Sequence, residues 1–260
     1  MLRLLRAETL KLKRSTAAYL LPAILLLVLG VVLLAHSLDV HRLSLLDNDP
    51  WPRYLKTTLT TYAMLVISPL CLLLVAAVLY VEQQADAWKQ LYALPISRGK
   101  IYQSKLFLIL GLLLLTTLLY CFGVLGIGWL LNILFPEYEL AYFQPDYNYL
   151  FVTAGSIVLS TLGIVGIQYV LGLLFKGLIP ALGIGFFGII AGFILSTTET
   201  LIPQYFPFSF PLIAQDFGVA NPLHREVLLL GMNQGIFGSI SCFLVCVVLG
   251  YWWEGRREVV

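Results

Sequence analysis

Charge is scarce in this sequence. Asp, Glu, Lys and Arg make up 12% of its 260 residues and hydrophobic residues 60%, with a mean hydropathy of +0.90. Soluble domains carry about 25% charged residues, so a soluble globular chain is excluded. Reactive side chains are few as well. The four cysteines, Cys71, Cys121, Cys242 and Cys246, all fall inside apolar runs, as packing residues do, and imply neither a disulfide framework nor a metal site. The three histidines, His36, His41 and His224, have no ligand spacing and are expected in loops. No Gly-x-Ser-x-Gly, His-Glu-x-x-His or Gly-x-x-x-x-Gly-Lys-Ser/Thr motif occurs, so neither a catalytic residue nor a metal ligand is expected, and no phosphate cradle either. No stretch between the apolar runs is long enough for a nucleotide-binding domain.

What the sequence does have is long apolar runs. Stretches without Asp, Glu, Lys or Arg occupy 15–38, 57–81, 106–136, 147–175, 177–198 and 227–253. Crossing hydrocarbon takes roughly 20 apolar residues of helix, and continuous runs exclude the alternating pattern of a barrel. The expected fold class is an all-α polytopic membrane protein, a single transmembrane domain over 1–260 with six spanning helices. The first run is too long for a cleaved signal peptide, and Ala35-His36-Ser37 is a poor cleavage site. Twelve of the sixteen Lys and Arg residues precede the first run, follow the last, or lie in the connections after the second and fourth. The positive-inside rule therefore puts both termini in the cytoplasm. Residues 2–14 read as an amphipathic helix along that leaflet, with Leu2, Leu5 and Leu12 near one face and Arg3, Lys11 and Lys13 reaching headgroups.

Two connections stand out. Glu82–Lys105 is a polar island between two charge-free runs. In it Trp88, Leu91 and Tyr92 are spaced to share one helical face, and Leu94-Pro95 ends that helix because the residue before proline avoids the α region. The result is an aromatic and aliphatic knob followed by Arg98 and Lys100. Trp and Tyr are common interface anchors, so the knob suits a partner protein; the alternative is packing on the chain's own helix ends or on headgroups. The second connection, 196–226, holds Leu201–Ile213, too apolar for a solvated loop and too rich in proline for one helix. Dipping into the outer leaflet as a gate and resting there as an aromatic belt both fit its composition.

Glu8-x-x-Lys11-x-Lys13-Arg14-Ser15, six spans, and Trp88-Lys89-x-Leu91-x-x-Leu94-Pro95-Ile96-Ser97-Arg98-x-Lys100 together resemble the membrane subunits of type-2 ABC exporters, nearest the small permeases of bacteriocin and lantibiotic self-protection. The resemblance implies an elbow helix at 1–14 and a coupling segment at 82–105 whose helix, about Asp86–Arg98, docks on an ABC ATPase through Trp88, Lys89, Leu91, Tyr92, Leu94, Pro95, Ile96, Ser97 and Arg98. It also implies short re-entrant helices at about Thr198–Ala214, with Pro203, Tyr205, Phe206, Pro207, Phe208, Phe210 and Pro211 as outer gate residues, although three prolines interrupt that stretch. Two ATPase copies and a second permease subunit, the same chain or a related one, are implied as partners, besides membrane lipids and without nucleic acid. ATP and Mg are expected on the ATPase and no cofactor on this chain. The implied function is outward transport of an amphipathic or hydrophobic substrate, such as an antimicrobial peptide, lipid or drug, across a bacterial cytoplasmic membrane. The other classes are a nucleotide-independent secondary transporter or lipid-handling protein, and a membrane scaffold.

Overall fold

The computed structural model describes residues 2–13, 17–38, 49–84, 97–136, 140–175, 177–198, 202–214 and 234–256. Among the described residues there is no strand. The helices are α1 (Leu2–Lys13), α2 (Ala17–Leu38), α3 (Trp51–Thr61), a π-helical turn (Tyr62–Val66), α4 (Ile67–Gln84), α5 (Arg98–Leu134), α6 (Tyr147–Leu174), α7 (Leu178–Ser196), α8 (Phe210–Ala214) and α9 (Gln234–Arg256). Short 3-10 turns lie at Leu140–Tyr142, Ile202–Tyr205 and Pro207–Ser209. Six elements are long and apolar enough to cross a bilayer: α2, α3 with α4, α5, α6, α7 and α9. This is an integral membrane protein, all-helical among the described residues.

Two of these helices begin earlier than the charge-free runs. The second span starts at Trp51 rather than 57 and the third at Arg98 rather than 106, because a charged residue at a helix end ends a charge-free run without ending the helix. Arg53 and Lys56 sit in the first turns of α3 with their side chains exposed. The start of α3 is fixed locally and across the fold. The Asp49 carboxylate accepts the Trp51 N–H at 3.0 Å, and the buried Trp51 indole N–H donates to the carbonyls of Leu140 and Phe143 at 2.9 and 3.1 Å. Asp146 caps α6 by accepting the Tyr149 N–H at 2.9 Å. Between α6 and α7 the chain turns at Gly177, whose φ of +136° is a left-handed conformation that glycine accepts without a Cβ clash.

The core lies where α4, α6 and one stripe of α5 meet. Tyr102, Ile109, Leu113, Tyr120, Val124 and Leu131 of α5 recur at helical spacing and are buried. Midway along, the π turn brings Tyr62 against α5: the Tyr62 and Tyr120 rings stack at 4.2 Å, the Tyr62 hydroxyl pairs with Thr117 at 2.8 Å, and the Tyr120 hydroxyl donates to the Thr58 carbonyl at 2.9 Å. Without water, each hydroxyl needs such a partner. The α6 and α9 helices approach closely at Gly163, whose N–H donates to the Ser239 hydroxyl at 2.8 Å, and at Gly166, where a Cβ would meet Cα of Phe243 at 3.2 Å. By contrast α2, α7 and α9 turn Leu26, Leu27, Phe186, Phe187, Leu244 and Val248 outward, which suits lipid. His36 is not in a loop. It lies in the last turns of α2, buried, with a ring nitrogen 2.8 Å from the Val32 carbonyl and its ring 4.8 Å from that of Tyr54, because the helix runs to the end of the apolar run at Leu38.

Candidate functional site

The described parts of the two regions singled out in the sequence, 82–84 with 97–105 and 202–214, lie at opposite ends of the bundle. The α1 end holds α1, the close of α4, the start of α5 and the close of α9; the opposite end holds the segment 202–214, reached after α7 has crossed. The structure does not bring them together.

At the α1 end, Glu82, Gln83 and Gln84 form the last turn of α4. Trp88, Lys89, Leu91, Tyr92, Leu94, Pro95 and Ile96 lie outside the described residues. Ser97 occupies the N-cap position of α5 in an extended conformation, φ −63° and ψ 134°. Its carbonyl accepts the N–H groups of Lys100 and Ile101 at 2.9 and 3.4 Å, and Arg98 is the first helical residue. Residues 98–105 therefore form the first two turns of the third span. At 1.5 Å per residue the 37 residues of α5 extend about 55 Å, against about 30 Å of hydrocarbon. An overhang shared between its two ends puts Lys105, about 10 Å from the start, near the membrane surface.

At the opposite end the segment 202–214 is a knot of short turns tied by Ser209. The Ser209 hydroxyl bonds to the carbonyls of Pro203 and Phe206, and its N–H also donates to Phe206 at 3.0 Å. The prolines have no N–H to leave unpaired, so hydroxyl and 3-10 bonds suffice. Phe208 and Phe210 then enter glycine sockets. A Cβ at Gly188 would lie 2.7 Å from the Phe208 ring, one at Gly192 2.7 Å from the Phe208 carbonyl carbon, and one at Gly238 2.9 Å from the Phe210 ring. Gly188 and Gly192, whose four-residue spacing suggests a helix contact, thus receive this segment. Of the gate residues named from the sequence, Pro203, Phe208, Phe210 and Pro211 are buried, Phe206 and Pro207 are half-buried, and Tyr205 is 74% exposed. The arrangement is an apolar wedge between α7 and α9 that rests on α6 through α8.

Residues 4–192 match the family model of the ABC-2 family transporter protein. The chain belongs to this family. The match runs from α1 to near the end of α7, spanning both the polar island and the first five membrane spans, and stops short of the wedge. A search of curated proteins and a search of solved structures returned no match. ABC-2 permeases are transport subunits and generally work with an ABC ATPase.

Sequence reasoning missed several residues of this ABC-2 permease. Lys105, counted as a loop cation, is buried and in register with Tyr102, Ile109 and Leu113, a signal that the 3.6-residue period carries. Glu8 faces inward from α1, and its i,i+3 pairing with Lys11 was legible from spacing. Ser209 had no local signal, because its partners are carbonyls brought in by the prolines. Gln168, by contrast, was legible: an amide inside an apolar run is expected to satisfy a neighbouring helix, and its Nε2 donates to the Ala181 carbonyl at 3.0 Å, tying α6 to α7.

Proposed function

We infer that this chain is the permease subunit of an ATP-driven ABC exporter that moves an amphipathic or hydrophobic molecule outward. The observation that carries the reading is the family match over 4–192, which contains the basic segment between the second and third spans. Trp88, Lys89, Leu91, Tyr92 and Leu94–Arg98 dock on an ATPase, which binds ATP and Mg and hydrolyses the nucleotide. Two permease subunits face each other, each with one ATPase copy, in a bacterial cytoplasmic membrane with the α1 end in the cytoplasm. The charge asymmetry supports that orientation. The wedge of Pro203, Tyr205, Phe206, Pro207, Phe208, Phe210 and Pro211 is the outer gate, a reading favoured by its seat between two spans that otherwise face outward. Lipid-facing spans with few polar groups favour an antimicrobial peptide, lipid or drug over a sugar or ion.

The test is purification from membranes expressing the native operon, followed by ATPase assays of the reconstituted complex with amphipathic peptides, lipids and hydrophobic drugs. We expect a nucleotide-binding subunit to co-purify and at least one amphipathic class to stimulate hydrolysis. Purification of the chain without such a subunit favours a secondary transporter or a scaffold. A complex that no amphipathic class stimulates sinks the cargo assignment alone.

A further inference from the structure

Two of the four cysteines are brought together by the last span. Cys242 and Cys246 stand one turn apart on α9, both half-buried, and their thiols hydrogen-bond to each other. At 1.5 Å per residue they lie about 12 and 18 Å along a helix of about 35 Å, so the pair sits at mid-membrane depth. Cys246 borders the tight contact with α6, its Cβ 3.0 Å from where a Cβ on Gly166 would lie. Leu244, Val245, Val248 and Leu249 around the pair are exposed. The two thiols therefore lie between a glycine contact on one side and the lipid-facing surface of the span on the other. Cys71 and Cys121, on α4 and α5, are 0% and 1% exposed.

The chemistry open to this pair is narrow. A disulfide does not fit the helix, because Cβ atoms four residues apart on one face are about 5–6 Å from each other, whereas a disulfide needs about 3.5–4.5 Å. Zinc takes at least three protein ligands, and no group of three metal-binding side chains exists among the described residues. A monovalent cation held by two thiolates would leave a net negative charge, which hydrocarbon penalises heavily. What fits is an electrophilic centre that takes both sulfurs, spans a longer bridge than one S–S bond and ends neutral. A trivalent arsenical carrying one organic group meets all three conditions. Sulfurs close enough to hydrogen-bond suit its angular bonding better than a linear bridge through a mercury ion.

We propose that Cys242 and Cys246 form a bidentate binding site for monosubstituted trivalent arsenicals within the sixth span. With phenylarsine oxide, two As–S bonds replace the bonding between arsenic and oxygen. The two thiol protons leave with that oxygen as one water, and neither arsenic nor sulfur changes oxidation state. The organic group points to lipid, because the α6 backbone at Gly166 closes the other side. The site stands independently of the docking and export readings.

The test is intact-mass spectrometry of the full chain in nanodiscs after treatment with phenylarsine oxide and a wash in excess thiol. A single adduct is expected that resists mercaptoethanol, a monothiol, and is removed by ethanedithiol, since only a second dithiol replaces both bonds at once. C242S and C246S each exchange one sulfur for a smaller hydroxyl at a half-buried position, and both should lose the monothiol-resistant adduct. C242A and C246A repeat the measurement should either serine disturb the span. C71S and C121S should keep the adduct. Absence of an adduct, or an adduct that mercaptoethanol strips from the wild-type chain, overturns the site. So does a resistant adduct that survives in C242S or C246S, or one that is lost in C71S or C121S.

Discussion

The two ends of the bundle are held by different chemistry. Where α1, α5 and α9 meet, Glu8, Lys105 and Glu254 are buried and tyrosines bond to carbonyls across helices; in the 202–214 wedge, Phe208 and Phe210 enter glycine sockets and the segment's own polar bonding is done by one serine within it. The difference teaches how a chain with so little charge uses what it has. An ion pair is sensitive to what neutralises it, and it ties together elements far apart in sequence, α1 and α5. An apolar wedge is sensitive to volume alone.

That contrast can be broken by substitution. Phe208→Ala should have the largest effect: it empties the Gly188 socket and costs about 3 kcal/mol, at the low end for truncating a buried Phe, read as a fall in thermal midpoint in detergent. Glu8→Gln is next. It removes the carboxylate that Lys11 and Lys105 both face, and E8Q/K105M should cost less than the sum of its two single changes in a double-mutant cycle. Equal, additive losses at both ends would mean that the ion pair is no different from packing. Tyr62→Phe, between the ends, removes one hydroxyl bond and should cost about 0.6 kcal/mol, the average for hydrogen bonds between membrane helices. Tyr205→Ala should change stability by less than about 0.5 kcal/mol, since that side chain is exposed. If the wedge is the outer gate, the same change should still alter substrate-stimulated ATPase activity.

The six helices were legible because hydrocarbon leaves no alternative for apolar runs of this length. Their ends were less so. A charge-free criterion stops at Arg53, Lys56 and Lys105, yet the first two are exposed on α3 and the third lies on the buried stripe of α5, which the helical period could have revealed. Gly188 and Gly192 announced a close approach but not its partner. The partner is Phe208, brought in by a turn that depends on Ser209 and the prolines, and no local pattern encodes that pairing. His36 was misplaced for a related reason: a polar residue at the end of a helix is inside the fold when a ring such as that of Tyr54 covers it.

The most direct test of the docking claim is photocrosslinking with a benzophenone side chain in place of Tyr92, in membranes that express the native operon. The account predicts an adduct with the nucleotide-binding subunit. An adduct only with lipid or with this chain's own helices would contradict it.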